Sequence, residues 1–371
     1  MGRAHLTSVA GQPSVDLVRS LADAMRAGLR SGAVRRMIVP PRETAEDAAG
    51  TKFISMPAVS PDYDLYINKV ATIIAPDPPG PGATVTSVVP AFSASSGRFL
   101  GVLDGTVVTN LKSAAVTALV TDCCAAKKSG VLGIIGSGVQ ARQQYLGVSA
   151  VRDIAEVRVF SRNAANAAAF ARDITAMTTR ADAAVSVTVC ESAEQASRGV
   201  DILVTATTSS GPLPISSQLP SHVHVNCVGA HTVASRELAE DLLRTSVLIV
   251  EDRHTAVAEA GPLHSRAVEL DTLDTPAAAG FDGQRTIFSS TGCAYLDLIT
   301  CAFLASRPGR EEDEAELEDA AQRLRIKVPA DLEGGVLDGY RGLRDMTALL
   351  RRADAEAADE PGVGESGGSH A

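Results

Sequence analysis

The chain has 371 residues, 45% of them hydrophobic and 21% charged, which is ordinary globular composition and long enough for two domains around a large buried core. Its 34 Lys and Arg against 44 Asp and Glu leave a net charge of −10, so the bulk electrostatics argue against nucleic acid or an anionic membrane as partner. No apolar run approaches the roughly 20 residues that span a bilayer, and the opening MGRAHLTSVAGQPSVDLV lacks the layout of a signal peptide, so a cytoplasmic protein is expected. Six cysteines sit inside apolar stretches without a C-x-x-C pair, the pattern of small buried hydrophobes rather than of disulfides or a metal site.

In chain order, residues 14–30 place Val15, Leu17, Val18, Leu21, Met25 and Leu29 near a 3.6-residue period behind Ser14, which predicts a capped amphipathic helix packed on a sheet. From Phe53 to about Leu103 short β-like runs alternate with breaker-rich segments, predicting a meandering antiparallel sheet. At Val131 the text changes. GVLGIIGSG reads as a buried strand entering a glycine turn, and VQARQQYLGVSAV as a helix. VRVF, VSVTV, DILVTAT, HVHVNCVG and SVLIVED follow as strands, with helices at 164–176 and near 192–199 between them. Strands alternating with helices define an α/β fold with a doubly wound parallel sheet of the Rossmann type. The helical AYLDLITCAFL then leads back to the first part of the chain. The expected division is a discontinuous α+β substrate and dimerisation domain (1–112 and 293–351), a dinucleotide-binding domain (113–292) and a disordered tail (352–371).

Gly136-Ser137-Gly138-Val139-Gln140-Ala141 is a G-x-G-x-x-A fingerprint. Gly136 makes the tight turn, Gly138 lets the backbone approach a pyrophosphate, and the following helix N-terminus favours the phosphates. The second strand ends in Ser161-Arg162-Asn163, where an NAD-selective fold places an acid for the ribose hydroxyls. Ser161 and Arg162 could instead hold a 2′-phosphate, which favours NADP(H) over NAD(H); the other reading is a solvated arginine at a helix start with NAD bound.

Three cations before the fingerprint stand where solubility does not require them. Arg42 follows Pro40-Pro41, Lys69 lies inside YINKVATII, and Lys112 precedes the apolar SAAVTALV. A lysine in an apolar strand is costly unless an anion meets it, and arginine suits a carboxylate, so the trio suggests a pocket for an amino or imino acid; each alone is equally a snorkelling surface cation. Met56 and the segment from Tyr63 to Tyr66 are candidates for the pocket wall.

These elements together resemble the ornithine cyclodeaminase/mu-crystallin family: PPR at 40–42, the strand lysine at 69, a T-x-x-(R/K)-x-A-A element at 109–115, GIIGSGVQA at 133–141, VGAHTVASREL at 228–238 and SSTGCAYLDL at 289–298. The resemblance implies a homodimer built through the first domain, with the active site between it and the nucleotide domain. It further implies that Arg42, Lys69 and Lys112 hold the substrate carboxylate or polarise the imine. Thr109, Thr205, Ala206, Thr207, Val228 and Gly229 would line the cofactor, with Gly292 beside the nicotinamide. Two departures stand out. Lys112 occupies a position usually held by arginine, losing the planar fork. His231 stands where true cyclodeaminases carry an aspartate that takes a proton from the distal amine, which weakens the cyclisation chemistry; His231 could relay a proton or do nothing. His222 and His224 read as structural, and Glu237 and Asp297 as polar partners outside catalysis.

The expected function is an NAD(P)-dependent oxidoreductase acting on the C–N bond of a small amino or imino acid, of the ketimine reductase or amino-acid dehydrogenase type, with Lys69 and His231 as catalytic candidates and no metal. The alternatives are an ornithine or lysine cyclodeaminase using catalytic NAD+, and a non-catalytic dinucleotide or small-ligand binding protein.

Overall fold

The computed structural model describes residues 14–48, 50–74, 85–180, 185–215, 219–229, 232, 233, 235–273, 281 and 283–306. The tail expected at 352–371, the part of the first domain expected beyond 306, and His231 lie outside the described residues.

Helix α1 (Val15–Arg30) begins where predicted: Ser14 Oγ accepts the Leu17 N–H at 3.1 Å, and Val18, Leu21, Met25 and Leu29 form its buried stripe. A short α2 (Ala33–Arg36) follows. Five consecutive strands, β1 (Glu43–Glu46), β2 (Lys52–Ser60), β3 (Leu65–Ile73), β4 (Val85–Phe92) and β5 (Phe99–Asp104), form an antiparallel meander in sequence order. Strand β1 is exposed along its length and carries no apolar alternation that would mark it in the sequence. On β3 the two-residue period turns Leu65, Ile67, Lys69 and Ala71 to the buried face; this alternation puts a lysine among apolar neighbours.

That face packs on α9 (Ala294–Ser306) and on α3 (Gly105–Cys124), whose N-terminus is capped by the Asp104 carboxylate, and α1 packs on these two helices rather than on the sheet as expected. Helix α3 is buried nearly all round, as an apolar helix between two layers must be. It also packs on α4 (Val139–Ser149), the helix of the second layer that follows the glycine turn.

The second layer is an eight-stranded parallel sheet. Its strands are β6 (Val131–Ile135), β7 (Glu156–Phe160), β8 (Ser186–Val189), β9 (Ile202–Thr205), β10 (His224–Cys227), β11 (Val247–Val250), β12 (Val268–Glu269) and β13 (Thr286–Ser289). The order is β12-β11-β13-β10-β9-β6-β7-β8. Between them run α5 (Ala164–Arg180), α6 (Ala193–Ser197), α7 (Glu240–Arg244) and α8 (Arg253–Ala260). The chain leaves β6 in one direction through β7 and β8 and returns to its other side with β9, so the carboxyl ends of β6 and β9 flank the switch point where such sheets bind ligands. Strand β13 is not anticipated by the sequence reading; four residues of buried TIFS between loops carry no period.

Candidate active site

Hydrogen bonds between strand ends set four loops in a row. Gly136 N–H donates to Phe160 O (2.8 Å), Ala206 N–H to Ile135 O (2.9 Å), Val228 N–H to Thr205 O (2.9 Å) and Ser290 N–H to Cys227 O (3.0 Å). The glycine turn is a fit for a dinucleotide. Gly136 has φ +124°, and a Cβ there would meet the Ala206 carbonyl oxygen at 2.3 Å, whereas a Cβ on Gly138 would meet nothing within 4 Å. Gly138 heads α4 without a side-chain cap, so the first N–H groups of that helix remain available to an anion. Val139 is an exposed apolar residue in the first turn of α4.

Glu237 fixes the loops beside this turn. Its fully buried carboxylate accepts from Thr205 Oγ1 (2.8 Å), Thr207 N–H (2.7 Å), Thr207 Oγ1 (2.6 Å) and Gly229 N–H (2.9 Å). It thereby gathers the expected cofactor residues Thr205, Ala206, Thr207, Val228 and Gly229 around one group, and a Cβ at Gly229 would strike it at 2.3 Å. Gln140 reaches from α4 to α3, accepting from Ser113 Oγ (2.7 Å) and donating to Asn110 Oδ1 (3.3 Å), beside half-buried Thr109. At the end of β7, Ser137 Oγ donates to Ser161 Oγ at 2.9 Å, Arg162 is exposed, and Asn163 Oδ1 accepts the Asn166 N–H as a cap for α5.

Arg42 and Lys112 converge on Gly292, and Lys69 joins Lys112 through Asp297. Arg42 Nη2 donates to the carbonyls of Thr291 and Gly292, both at 2.9 Å, and its Nε pairs with Glu259 at 2.6 Å. That leaves Nη1 as its nitrogen with no partner among the described residues. Burial and the nearby Glu251 carboxylate raise the affinity of Glu259 for a proton although Arg42 opposes it. Gly292 has φ +74°, and a Cβ there would lie 3.4 Å from Lys112 Nζ. Glu251, at the end of β11, holds the same loop by accepting from Ser290 Oγ (2.5 Å), Thr291 N–H (3.2 Å) and Gly292 N–H (3.1 Å).

Lys69 and Lys112 are 6% and 7% exposed, and both face Asp297 in the first turn of α9, which is 0% exposed. Lys69 Nζ donates to Asp297 Oδ2 at 2.6 Å, while Lys112 Nζ lies 3.6 Å from Oδ1, beyond hydrogen-bond range. Burial pulls the Lys69 pKa down, helped by Lys112 and Arg42 and only partly offset by Asp297. Burial acts the same way on Lys112, but Asp297, Cys293 and Glu251 outweigh it and the net direction is up. Burial would raise Asp297, yet the two lysines hold it below the usual carboxylate range.

Met56 pairs in register with Lys69 across β2 and β3, and with Pro41, Arg42, Glu251, Gly292 and Cys293 it lines a cavity of about 500 Å³. Tyr63 and Tyr66 stand apart from this wall. Tyr66 stacks on Phe92 with ring centroids 5.7 Å apart, and Tyr63 packs against α1 at Gly28. His224 is buried, with Nδ1 2.8 Å from Thr286 Oγ1, and burial pushes it down to about 3.

Glu251 and Glu259 are the site residues that the sequence reading omits, and Asp297 and Glu237 are the ones it sets aside. The signal for Asp297 was available: a charge inside apolar AYLDLITCAFL is as conspicuous as Lys69 inside its strand. Local spacing says nothing about which distant cation it meets.

An open glycine turn at the switch point of a parallel sheet, in a chain that also buries two lysines against one aspartate, marks an enzyme that uses a nicotinamide dinucleotide. The chain belongs to the ornithine cyclodeaminase/mu-crystallin family, whose pattern matches residues 6–307. It is 31% identical over 266 residues to the ketimine reductase mu-crystallin of Rattus norvegicus, covering 71% of this chain and 77% of that one. It is 28% identical over 295 residues to a Delta(1)-pyrroline-2-carboxylate reductase of Bacillus cereus, covering 75% and 89%. An archaeal alanine dehydrogenase dimer with bound NAD superposes with a TM-score of 0.68 at 25% identity, covering 79% and 91%.

Proposed function

We propose that this protein reduces the C=N bond of a small ketimine carboxylate, or runs the matching amino-acid dehydrogenation. The observation that carries this is the meeting of Arg42 and Lys112 at Gly292, with Lys69 and Lys112 sharing buried Asp297, at the end of the loop row that begins with the glycine turn. Such cations suit a substrate with an anionic carboxylate beside a nitrogen that changes protonation.

When bound, the nicotinamide supplies or accepts a hydride at the substrate α-carbon. Lys112, which makes no hydrogen bond to Asp297, takes the substrate carboxylate, assisted by Nη1 of Arg42. With Nε on Glu259 and Nη2 on two carbonyls, Arg42 acts as a single-point contact rather than a fork. Lys69 stands beside the reacting nitrogen and exchanges its proton. Met56 supplies apolar wall for the substrate carbons. His231 lies outside this account, and with no aspartate after the VGA turn, reduction is favoured over cyclodeamination.

NADP(H) is the favoured cofactor. No carboxylate stands at 161–163 to repel a 2′-phosphate, Ser161 offers a hydroxyl and Arg162 an exposed guanidinium, whereas Asn163 is engaged as a helix cap. The protein acts as a homodimer joined through the outer face of the antiparallel sheet. Val70 and Val88 lie opposite each other there and are exposed, with exposed Phe53 and Val102 on the flanking strands. Residues 1–112, rejoined from 293 onward, are assigned to a substrate domain and 113–292 to a nucleotide domain; the two separate sheets support this division, and helix α3 crosses its boundary. Its setting is cytoplasmic, in keeping with six free thiols; no helix among the described residues is long and apolar enough to cross a membrane.

The test is to supply a cyclic ketimine carboxylate with NADPH and follow loss of nicotinamide absorbance, and separately to supply ornithine or lysine with catalytic NAD+. NADPH consumption with formation of the cyclic amino acid is expected. Ammonia release without net cofactor turnover would replace this reading with cyclodeamination.

A further inference from the structure

Two buried lysines share one buried carboxylate, and they share it unequally. Asp297 Oδ2 is hydrogen-bonded to Lys69 at 2.6 Å, but Oδ1 has no hydrogen-bond partner among the described residues and faces Lys112 at 3.6 Å. Asp297 sits in the first turn of α9, where the helix dipole favours a negative charge, and Leu296, Leu298 and Cys301 around it are buried.

The groups facing the two amines differ. Lys69 meets Asp297 and Cys301 from α9, Lys112 from α3 and Arg42 from the turn before β1; Met56, opposite it on β2, is uncharged. Lys112 meets Asp297 and Cys293 at the start of α9, Arg42, and in addition the carboxylate of Glu251 from the end of β11. Lys69 therefore has one carboxylate against two cations, whereas Lys112 has two carboxylates against the same number of cations, Arg42 and Lys69. The first arrangement makes a lysine that releases its proton readily; the second makes a lasting cation.

We propose that Asp297 is the positioning residue that divides the work of the two lysines: its hydrogen bond holds Lys69 as the amine that exchanges a proton with the substrate nitrogen, and it leaves Lys112 free to meet the substrate carboxylate. This rests on the ketimine-reducing reading above. In that direction a C–H bond forms at the α-carbon with the hydride of NAD(P)H, the C=N π bond breaks, and an N–H bond forms with the proton of the Lys69 ammonium. Lys69 is left neutral and is recharged from water; NAD(P)+ leaves as the oxidised product. Arrival of the substrate carboxylate adds negative charge to the site and draws a proton onto Lys69 beforehand.

The test is the pH profile of kcat/KM for Asp297→Asn and Asp297→Glu beside the unmodified protein, with NADPH and Delta(1)-pyrroline-2-carboxylate, whose own ionisation is common to all three. Removing the Asp297 charge lowers the proton affinity of Lys69, so the alkaline limb moves to lower pH in Asp297→Asn. At neutral pH kcat falls by roughly 10²-fold, the scale of lost acid catalysis, with a smaller effect on KM. Asp297→Glu keeps the charge and returns the limb toward its original position.

A second measurement does not need an Asp297 variant to fold. Calorimetry of L-proline binding to the NADPH complex, at alkaline pH in buffers of different ionisation enthalpy, is expected to show proton uptake. Uptake persists in Lys112→Met, which binds more weakly, and is lost in Lys69→Met. A limb unmoved in folded Asp297→Asn, or uptake that follows Lys112 instead of Lys69, overturns the proposal while leaving the reductase reading intact. An unmodified protein that reduces no ketimine removes the reading and this inference with it.

Discussion

The two halves of the site each bury a carboxylate, and they do so in opposite ways. Asp297 lies between two ammonium groups and, among the described residues, its carboxylate makes one hydrogen bond, to a charged donor. Among the same residues Glu237 meets neutral donors, two threonine hydroxyls and two backbone N–H groups, besides the Cys227 thiol at 3.5 Å. A buried charge is tolerated in either setting because every route lowers its desolvation penalty. The consequences differ. Neutral donors fix geometry, so Glu237 shapes the loops proposed to carry the cofactor. Paired cations couple protonation states, so Asp297 governs charge where the proposed reading puts the substrate. On that reading the nucleotide half works through backbone and glycine, and the substrate half through side-chain charge.

Variants sharpen that contrast. The largest effect is expected for Lys69→Met, which removes the proton-exchanging amine. Ketimine reduction should fall by about 10²- to 10⁴-fold, with NADPH affinity by fluorescence titration nearly unchanged. Equal loss of both would blur the division between halves. Arg162→Ser should weaken NADPH by roughly 10-fold or more and leave NADH alone, as expected for a lost charge-assisted bond to phosphate; dissociation constants for the two cofactors check it. Glu237→Gln puts an N–H donor where only acceptors fit, so the loops lose part of their clamp. A cost of about 1–3 kcal/mol in chemical denaturation and weaker binding of both cofactors should follow.

His224 gives a pH-dependent test away from either carboxylate. Burial holds it neutral down to about 3, whereas the unfolded residue takes a proton near the usual 6.5. The unfolded state then binds more protons in between, so stability declines as pH falls from 6.5 toward 3, by at most about 1.4 kcal/mol per pH unit. His224→Phe should flatten that part of the stability profile. The smallest effect on chemistry is expected for Val88→Glu, which charges the outer sheet face. It should shift the protein toward monomer by light scattering, leaving thermal stability close to unchanged.

The strands and helices that shape both halves were readable because each carries a local pattern. Ser14 and the stripe behind it define α1, the alternation about Lys69 defines the inner face of β3, and the glycine turn follows a strand and opens a helix. The partners of those residues were not readable. Lys69 meets an aspartate 228 positions away, and Arg42 meets carbonyls 249 and 250 positions on. Only the packing of β3 against α9 and the crossing of the Arg42 turn over the β13 loop bring them together. The expected hold of Arg42 on a substrate carboxylate assumed an idle guanidinium; Glu259 and the 291–292 carbonyls already engage most of it. Strand β13 escaped notice for the same reason, being four residues whose identity as a strand rests on its neighbours β10 and β11.

The most direct measurement is mass spectrometry of the product formed from a cyclic ketimine carboxylate and NADPH carrying deuterium at its transferable position. One deuterium at the α-carbon of the resulting cyclic amino acid is the predicted result. Product without label, or no product under any of the cofactor forms, would contradict a cleft built to present a carboxylate-bearing C=N bond to the nicotinamide.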